Sequence, residues 1–164
     1  MKLSAVLQDI IEPALVLLPA NMDSPRARVF LLAVGLQESR FEYRAQMGGG
    51  PARGFWQFEQ GTQASRGGVW GVYLHPASRE YLRGLCDTHG VEFEPRAIWA
   101  ALENNDIFAC CVARLLMWTN PKPLPAVGDV QAAWNLYASS LWRPGKPHPE
   151  TWSGFYDQAV KAVA

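Results

Sequence analysis

The sequence predicts an all-α fold, mostly helix, with at most a small hairpin near residues 42–58. Three observations carry this. Apolar residues recur at helical spacing in segment after segment, no stretch of any length alternates apolar with polar, and Gly and Pro gather between the periodic segments. The first helix covers roughly 2–18, where the apolar positions of "MKLSAVLQDIIEPALVLLPA" form one amphipathic face. A second helix starts after Asp23 or Ser24, either of which can cap it, takes Pro25 in its first turn and runs to about Ser39. Residues 42–54 hold four glycines and a proline and read as a loop. A short helix is expected from near Phe58, with Gly67-Gly68 as its stop. "HPASREYLRGLCDTHG" forms a helix with Pro76 near its start and Gly90 beyond its end, and "EPRAIWAALENN" forms another. "DIFACCVARLLMWT" is the most apolar helix and the expected centre of the core; it stops before "NPKPLP", whose prolines forbid helix. "VGDVQAAWNLYASSLW" is helical with Asp129 near its start, "RPGKPHP" is a turn, and "ETWSGFYDQAVKAV" closes the chain. No repeat or linker divides it, so residues 1–164 are expected to form one domain.

Composition narrows the function. Fifteen Lys and Arg balance fifteen Asp and Glu, so there is no global basic field to draw nucleic acid, and no nucleic-acid partner is expected. The three cysteines are odd in number and two are adjacent, a poor disulfide framework. His75, His89 and His148 show no ligand spacing, so neither a metal nor another cofactor is expected. None of the three sits in a Ser-His or Cys-His pattern. "MGGGPARG" lacks the preceding strand and the Gly-Lys-Ser/Thr of a phosphate cradle. Asp9, Glu12 and Pro13 interrupt any signal-peptide core, and no segment has the ~18–20 apolar residues of a span. The expectation is a monomer made in the cytoplasm with no stable membrane insertion.

One acid stands out. Glu38 closes the apolar run "VFLLAVGLQ", at the negative end of a helix dipole, with Phe41, Phe55 and Trp56 as expected apolar neighbours. Both the dipole and desolvation favour the neutral acid, and a neutral carboxylic acid in a cleft can protonate a leaving oxygen; the same residue taken alone also fits a solvated glutamate at a helix end.

The surrounding residues resemble the lytic transglycosylase and goose-type lysozyme families. Their catalytic Glu-Ser closes a helix in a motif like "ES.F", present here as Glu38-Ser39-Arg40-Phe41. A "GLMQ" motif follows in those families. Here it reads Gly54-Phe55-Trp56-Gln57, continuing to Gly61-Thr62, with Gln57 nineteen residues after Glu38. An "AAYNAG"-like element on a late helix is similar to Ala132-Ala133-Trp134-Asn135. Trp134 replaces the family's tyrosine, and Tyr137, one turn on, either supplies the missing phenol or packs. "WRPGKPHPETW" resembles members from tailed phages and prophages.

The resemblance implies a lysozyme-like domain that cleaves the β-1,4 bond between N-acetylmuramic acid and N-acetylglucosamine in peptidoglycan. Glu38 would be the general acid and then base. Ser39 would orient it or touch the sugar. Gln57 would bind substrate or hold its loop against the Glu38 helix, and Phe55, Trp56, Glu59, Asn135 and Tyr137 complete the expected substrate-binding set. The partner would be the glycan strands of the periplasmic cell wall, met during host lysis or from a virion. Goose-type lysozymes carry candidate aspartates 13 and 24 residues after the glutamate, positions held here by Pro51 and Thr62. Without them, the substrate's 2-acetamido group can act as nucleophile and give a 1,6-anhydro product. The alternatives are hydrolysis by Glu38 with Glu59, or a silent glycan-binding virion component.

Overall fold

A computed structural model describes residues 1–164 and is all-α, with eight helices and almost no strand. The first, α1, spans 3–16 but changes register: α-helical turns at Leu3–Val6 and Glu12–Val16 flank a π-helical turn at Leu7–Ile11. Pro13 has no N–H for the helical ladder, and one residue earlier the Glu12 N–H reaches back to Leu7 O, a wider step than the α-helical one.

The second helix, α2 (Pro25–Ser39), follows a short turn at Ala20–Met22. The Ser24 side chain accepts from the Ala27 N–H, which settles the cap in favour of Ser24 over Asp23. This helix is buried on nearly every side from Val29 to Leu36. It packs most extensively against the last helix, α8 (Pro149–Val163), which helps hold Glu38 in place. Gly35 makes close approach possible: a Cβ there would lie 2.1 Å from Phe41 Cζ, so the chain leaving α2 can fold its ring back onto the helix.

Between 45 and 58 two isolated bridges, Ala45 with Arg53 and Arg53 with Phe58, form the only extended pairing. The helix expected after Phe58 is absent, and Gly67-Gly68 opens a helix instead of ending one. That helix, α3 (Gly68–Leu74), has no side-chain cap. Its free amides at Val69 and Trp70 donate to the carbonyls of Glu59 and Gln60. Gly68 has φ +56°, and any Cβ there would meet Glu59 O at 2.1 Å, so glycine is required for the backbone of 59–60 to act as the cap.

The remaining helices follow the sequence pattern. They are α4 (Arg79–His89), starting three residues beyond Pro76, α5 (Pro95–Leu102), capped by Glu94, and α6 (Asp106–Trp118), capped by Asn105. Residues 108–115 of α6 are all buried, as expected of the core helix. The three cysteines are free and buried. The seventh, α7, is α-helical over Val130–Asn135 and π-helical over Leu136–Leu141, with Asp129 as its cap. One continuous core joins these elements. No helix is long and apolar enough to cross a membrane.

Candidate active site

A cleft of about 890 Å³ runs over the C-terminal end of α2. Glu38 lines it from the last turn of that helix. Tyr43, Gln46, Ala52, residues 57–59, parts of the 61–68 loop and the 142–148 turn supply the other walls, with Tyr137 and Leu141 coming from the π turn of α7. The Tyr137 hydroxyl donates to Glu38 Oε1 at 2.6 Å. Burial pushes the Glu38 carboxyl up to about 7, and the Tyr137 hydrogen bond, which favours the ionised form, only partly offsets it. Burial, and then the neighbouring Glu38, raise the Tyr137 phenol far above its ordinary range, so it remains a donor.

The phenol is held from behind. The Tyr137 and Trp152 rings stack with centroids 5.2 Å apart and planes 6° from parallel, and Trp152 Nε1 donates to Val130 O. Tyr137 therefore does both things the sequence left open: it packs, and it puts a phenol on the acid. A second phenol, Tyr43, donates to the Glu38 main-chain carbonyl at 2.8 Å, one of the last free carbonyls of α2.

Ser39 is fully buried. Its hydroxyl donates to Phe55 O at 2.7 Å and accepts from the Phe41 N–H, so it clasps the 55 segment to the helix end and does not face the cleft. Trp56 is 0 % exposed and Phe55 1 %, which corrects the expectation that they line a sugar site. Trp56 Nε1 donates to Leu31 O, and both rings pack edge-on against Phe41. An aromatic pair beside a catalytic-type acid is here the floor beneath the cleft. Gln57 does line the cleft, with φ +50°, and its amide donates to Gly54 O. It thus braces its own turn rather than bridging to the Glu38 helix. Glu59 lines the same cleft and is exposed. Asn135 does not: it is exposed on α7 and bonds to Gln131.

Several cleft residues lie outside the expected site set. Tyr43, Gln46, Trp142, Arg143, Lys146 and His148 all line it. Gln37 anchors the 143–148 turn, donating to His148 O and accepting from the Thr151 hydroxyl. Arg143 and Lys146 form no ion pair. Backbone strain was the other signal. The five non-glycine residues with positive φ are Arg40, Phe41, Gln57, Arg66 and Arg143, and each lines the cleft or lies within two residues of one that does. No group of three or more His, Cys, Asp or Glu is gathered as a metal site.

The arrangement is that of an acid about half protonated near pH 7, a phenol donor on one of its oxygens, and a cleft of about 890 Å³ with a largely polar lining. Comparison with known protein families, with characterised proteins and with solved structures finds no match.

Proposed function

We propose that the protein cleaves peptidoglycan glycan strands at the β-1,4 bond between N-acetylmuramic acid and N-acetylglucosamine, with Glu38 as acid and then base. The observation that carries this reading is the buried Glu38 carboxyl, raised to about 7 and hydrogen-bonded by Tyr137 at the wall of the cleft of about 890 Å³. It is supported by the order and spacing of the Glu38-Ser39 and Gly54–Gln57 motifs, which are joined by the bond from the Ser39 hydroxyl to the Phe55 carbonyl.

Glu38 gives its proton to the glycosidic oxygen as the C1–O bond breaks. The carbonyl oxygen of the sugar's own 2-acetamido group attacks C1 from the far side and forms an oxazolinium ion. Glu38, now ionised and steadied by the Tyr137 hydroxyl, removes the proton of the 6-hydroxyl, whose oxygen displaces the acetamido group. The product is a 1,6-anhydro sugar; no water is consumed and Glu38 ends protonated. The unpaired cations Arg143 and Lys146 suit the carboxylates of the stem peptides. The setting would be the periplasmic wall of a bacterium, during lysis from within or entry from a virion.

A second reading rests on one observation: Glu59 lines the same cleft. If it activates water, the enzyme is a hydrolytic muramidase. The test is mass spectrometry of murein digested by the purified chain, together with the turbidity of permeabilised Gram-negative cells. Fragments ending in 1,6-anhydro-muramic acid are expected, lighter by one water than hydrolytic ones. Reducing ends would establish hydrolysis, and binding without any fragments would leave a glycan-binding module.

A further inference from the structure

A second cavity, of about 490 Å³, shares no residue with the Glu38 cleft. It lies where the start of α2 meets the end of α6 and the proline-rich 120–124 segment. Its charged lining residues are Arg26, Arg114 and Lys122, and no acid is among the lining residues. None of the three cations forms an ion pair.

Arg114 is the unusual member. It is the one cation in the most apolar helix and is only 3 % exposed. Its Nε donates to Met22 O at 2.8 Å, but its two terminal nitrogens make no hydrogen bond to the protein. His89 Nε2 is the sole fully enclosed side-chain polar atom without a partner, so those terminal nitrogens keep some solvent contact, and Arg114 lines the cavity. The acid whose field reaches Arg114 is Asp23, and both of its oxygens are taken by Arg28 at 2.9 Å. Burial lowers the guanidinium to about 10, against the pull of Asp23, yet it remains a cation at neutral pH.

A buried cation without a counter-charge is costly, and ordinarily such groups are paired. Here the pairing is left open toward a cavity whose other charges are also positive. Neutral donors join them. Ser24 uses its oxygen to cap α2 and has no acceptor for its own hydroxyl proton, while Asn120 accepts from the Lys122 N–H and leaves its amide nitrogen without a protein acceptor. The N-terminal end of α2 adds partial positive charge. One wall is the Trp118 ring, with the Arg114 guanidinium 5.5 Å from its centroid.

We propose that this cavity binds a phosphoryl group, held by the Arg114 fork between Arg26 and Lys122, with the body of its ester against Trp118. A tetrahedral dianion meets three cations and several donors better than a single carboxylate does, and a planar guanidinium offers it two parallel hydrogen bonds. The site is independent of the Glu38 chemistry.

The test is titration of the uniformly ¹⁵N-labelled full chain with inorganic phosphate and, separately, phenyl phosphate, against sodium chloride at equal ionic strength, following the Trp118 indole N–H by NMR. Saturable shifts with millimolar or tighter dissociation constants are expected for both phosphates and not for chloride. Tighter binding of phenyl phosphate by about tenfold assigns an organic phosphate as the ligand, whereas equal binding assigns the free ion. Arg26→Ala and Lys122→Ala should each weaken phosphate about tenfold, as loss of a charged hydrogen bond does, with the unfolding midpoint in chloride unchanged for Lys122→Ala and only slightly lowered for Arg26→Ala, which also loses a 3.0 Å bond to Leu124 O. Arg114→Lys keeps the charge and loses the fork, and should weaken phosphate similarly. Shifts that never saturate, that chloride reproduces, or that survive the Arg26→Ala, Lys122→Ala double substitution would overturn the proposal. The double variant alters exposed side chains only, so the result does not depend on replacing a buried one.

Discussion

The two ends of α2 bury opposite charges, and each is the charge that the helix dipole disfavours at that end. Arg114 sits with Arg26 beside the N-terminal turn, and Glu38 sits in the last turn. The helix has fifteen residues, so the two lie on the order of 20 Å apart. Neither forms an ion pair, and Asp23, the acid whose field reaches Arg114, is held by Arg28. The consequences differ because the ordinary pKa values differ. A carboxyl starts at 4.5, and burial carries Glu38 to about 7, where it can hold or release a proton under working conditions. A guanidinium starts far higher, and burial carries Arg114 down only to about 10, so it stays charged. Burial of the acid makes a proton donor, while burial of the base makes a demand for an anion.

Replacing the acid tests the first half of that contrast most sharply. Glu38→Gln keeps the shape and can still accept from Tyr137, but has no proton to give. A loss of murein cleavage by a factor of roughly 10²–10⁴ is expected in a muropeptide-release assay. Activity within a few-fold of the unaltered chain would remove Glu38 from the chemistry.

The same substitution has a stability consequence with a definite sign. The folded carboxyl holds its proton to about 7 and the unfolded one only to 4.5. Between those values the folded state binds more protons, so the contribution of Glu38 is most favourable below 4.5 and is lost as pH rises through about 7. Above pH 7 the buried carboxylate costs about 3 kcal/mol relative to its protonated form. Glu38→Gln should therefore be more stable than the parent at pH 8, by up to that amount, and equal to it near pH 4, in denaturant unfolding at the two pH values. Equal stability at both would mean that Glu38 is solvated.

Tyr137→Phe is a smaller change. It removes a hydroxyl that favours the ionised acid, so the Glu38 carboxyl should rise further and the alkaline limb of kcat/KM should move above about 7. Activity at the optimum should fall about tenfold, the usual effect of losing a hydrogen bond to a charged group. The aromatic stack with Trp152 survives in Phe, so folding should not change. A limb that stays at the parent value would separate Tyr137 from the Glu38 proton.

What the sequence revealed depended on whether a local rule decided the matter. The Ser24 cap with Pro25 set the start of α2, and the end of its apolar run marked Glu38, because capping and periodicity are properties of neighbouring residues. Tyr137 came within reach from its spacing on a late helix, although the π turn that carries it was not visible. Phe55 and Trp56 went wrong because an aromatic beside a cleft can wall it or underlie it, and only the Leu31 and Phe41 contacts decide between these. Gly67-Gly68 was read as a stop because its real partner, the Glu59 carbonyl, is supplied by the fold. Arg114 was in plain view as one cation in an apolar helix. Its meaning lay in the absence of an acid nearby, which depends on how distant segments assemble.

The smallest expected effect decides the mechanism. Glu59 and Glu38 are the two acids of the cleft. Glu59 is exposed, whereas Glu38 is set into the wall beneath Tyr137. A base that activates water must hold that water at C1 on the face opposite the acid, and this needs a positioned carboxylate. Glu59 accepts no hydrogen bond from, and forms no ion pair with, any other side chain that would fix it; what the fold holds at residue 59 is the backbone, which caps α3 through its carbonyl. The acetamido group, by contrast, is delivered by the substrate already attached to the reacting sugar, and that proximity replaces a positioned residue. Glu59→Gln should therefore change kcat by no more than about twofold and leave 1,6-anhydro ends in the digest. If it is as inactive as Glu38→Gln, and the parent digest carries reducing ends, water is the nucleophile and Glu59 its base. The contrast between one buried acid and one exposed acid would then have to be redrawn as a pair.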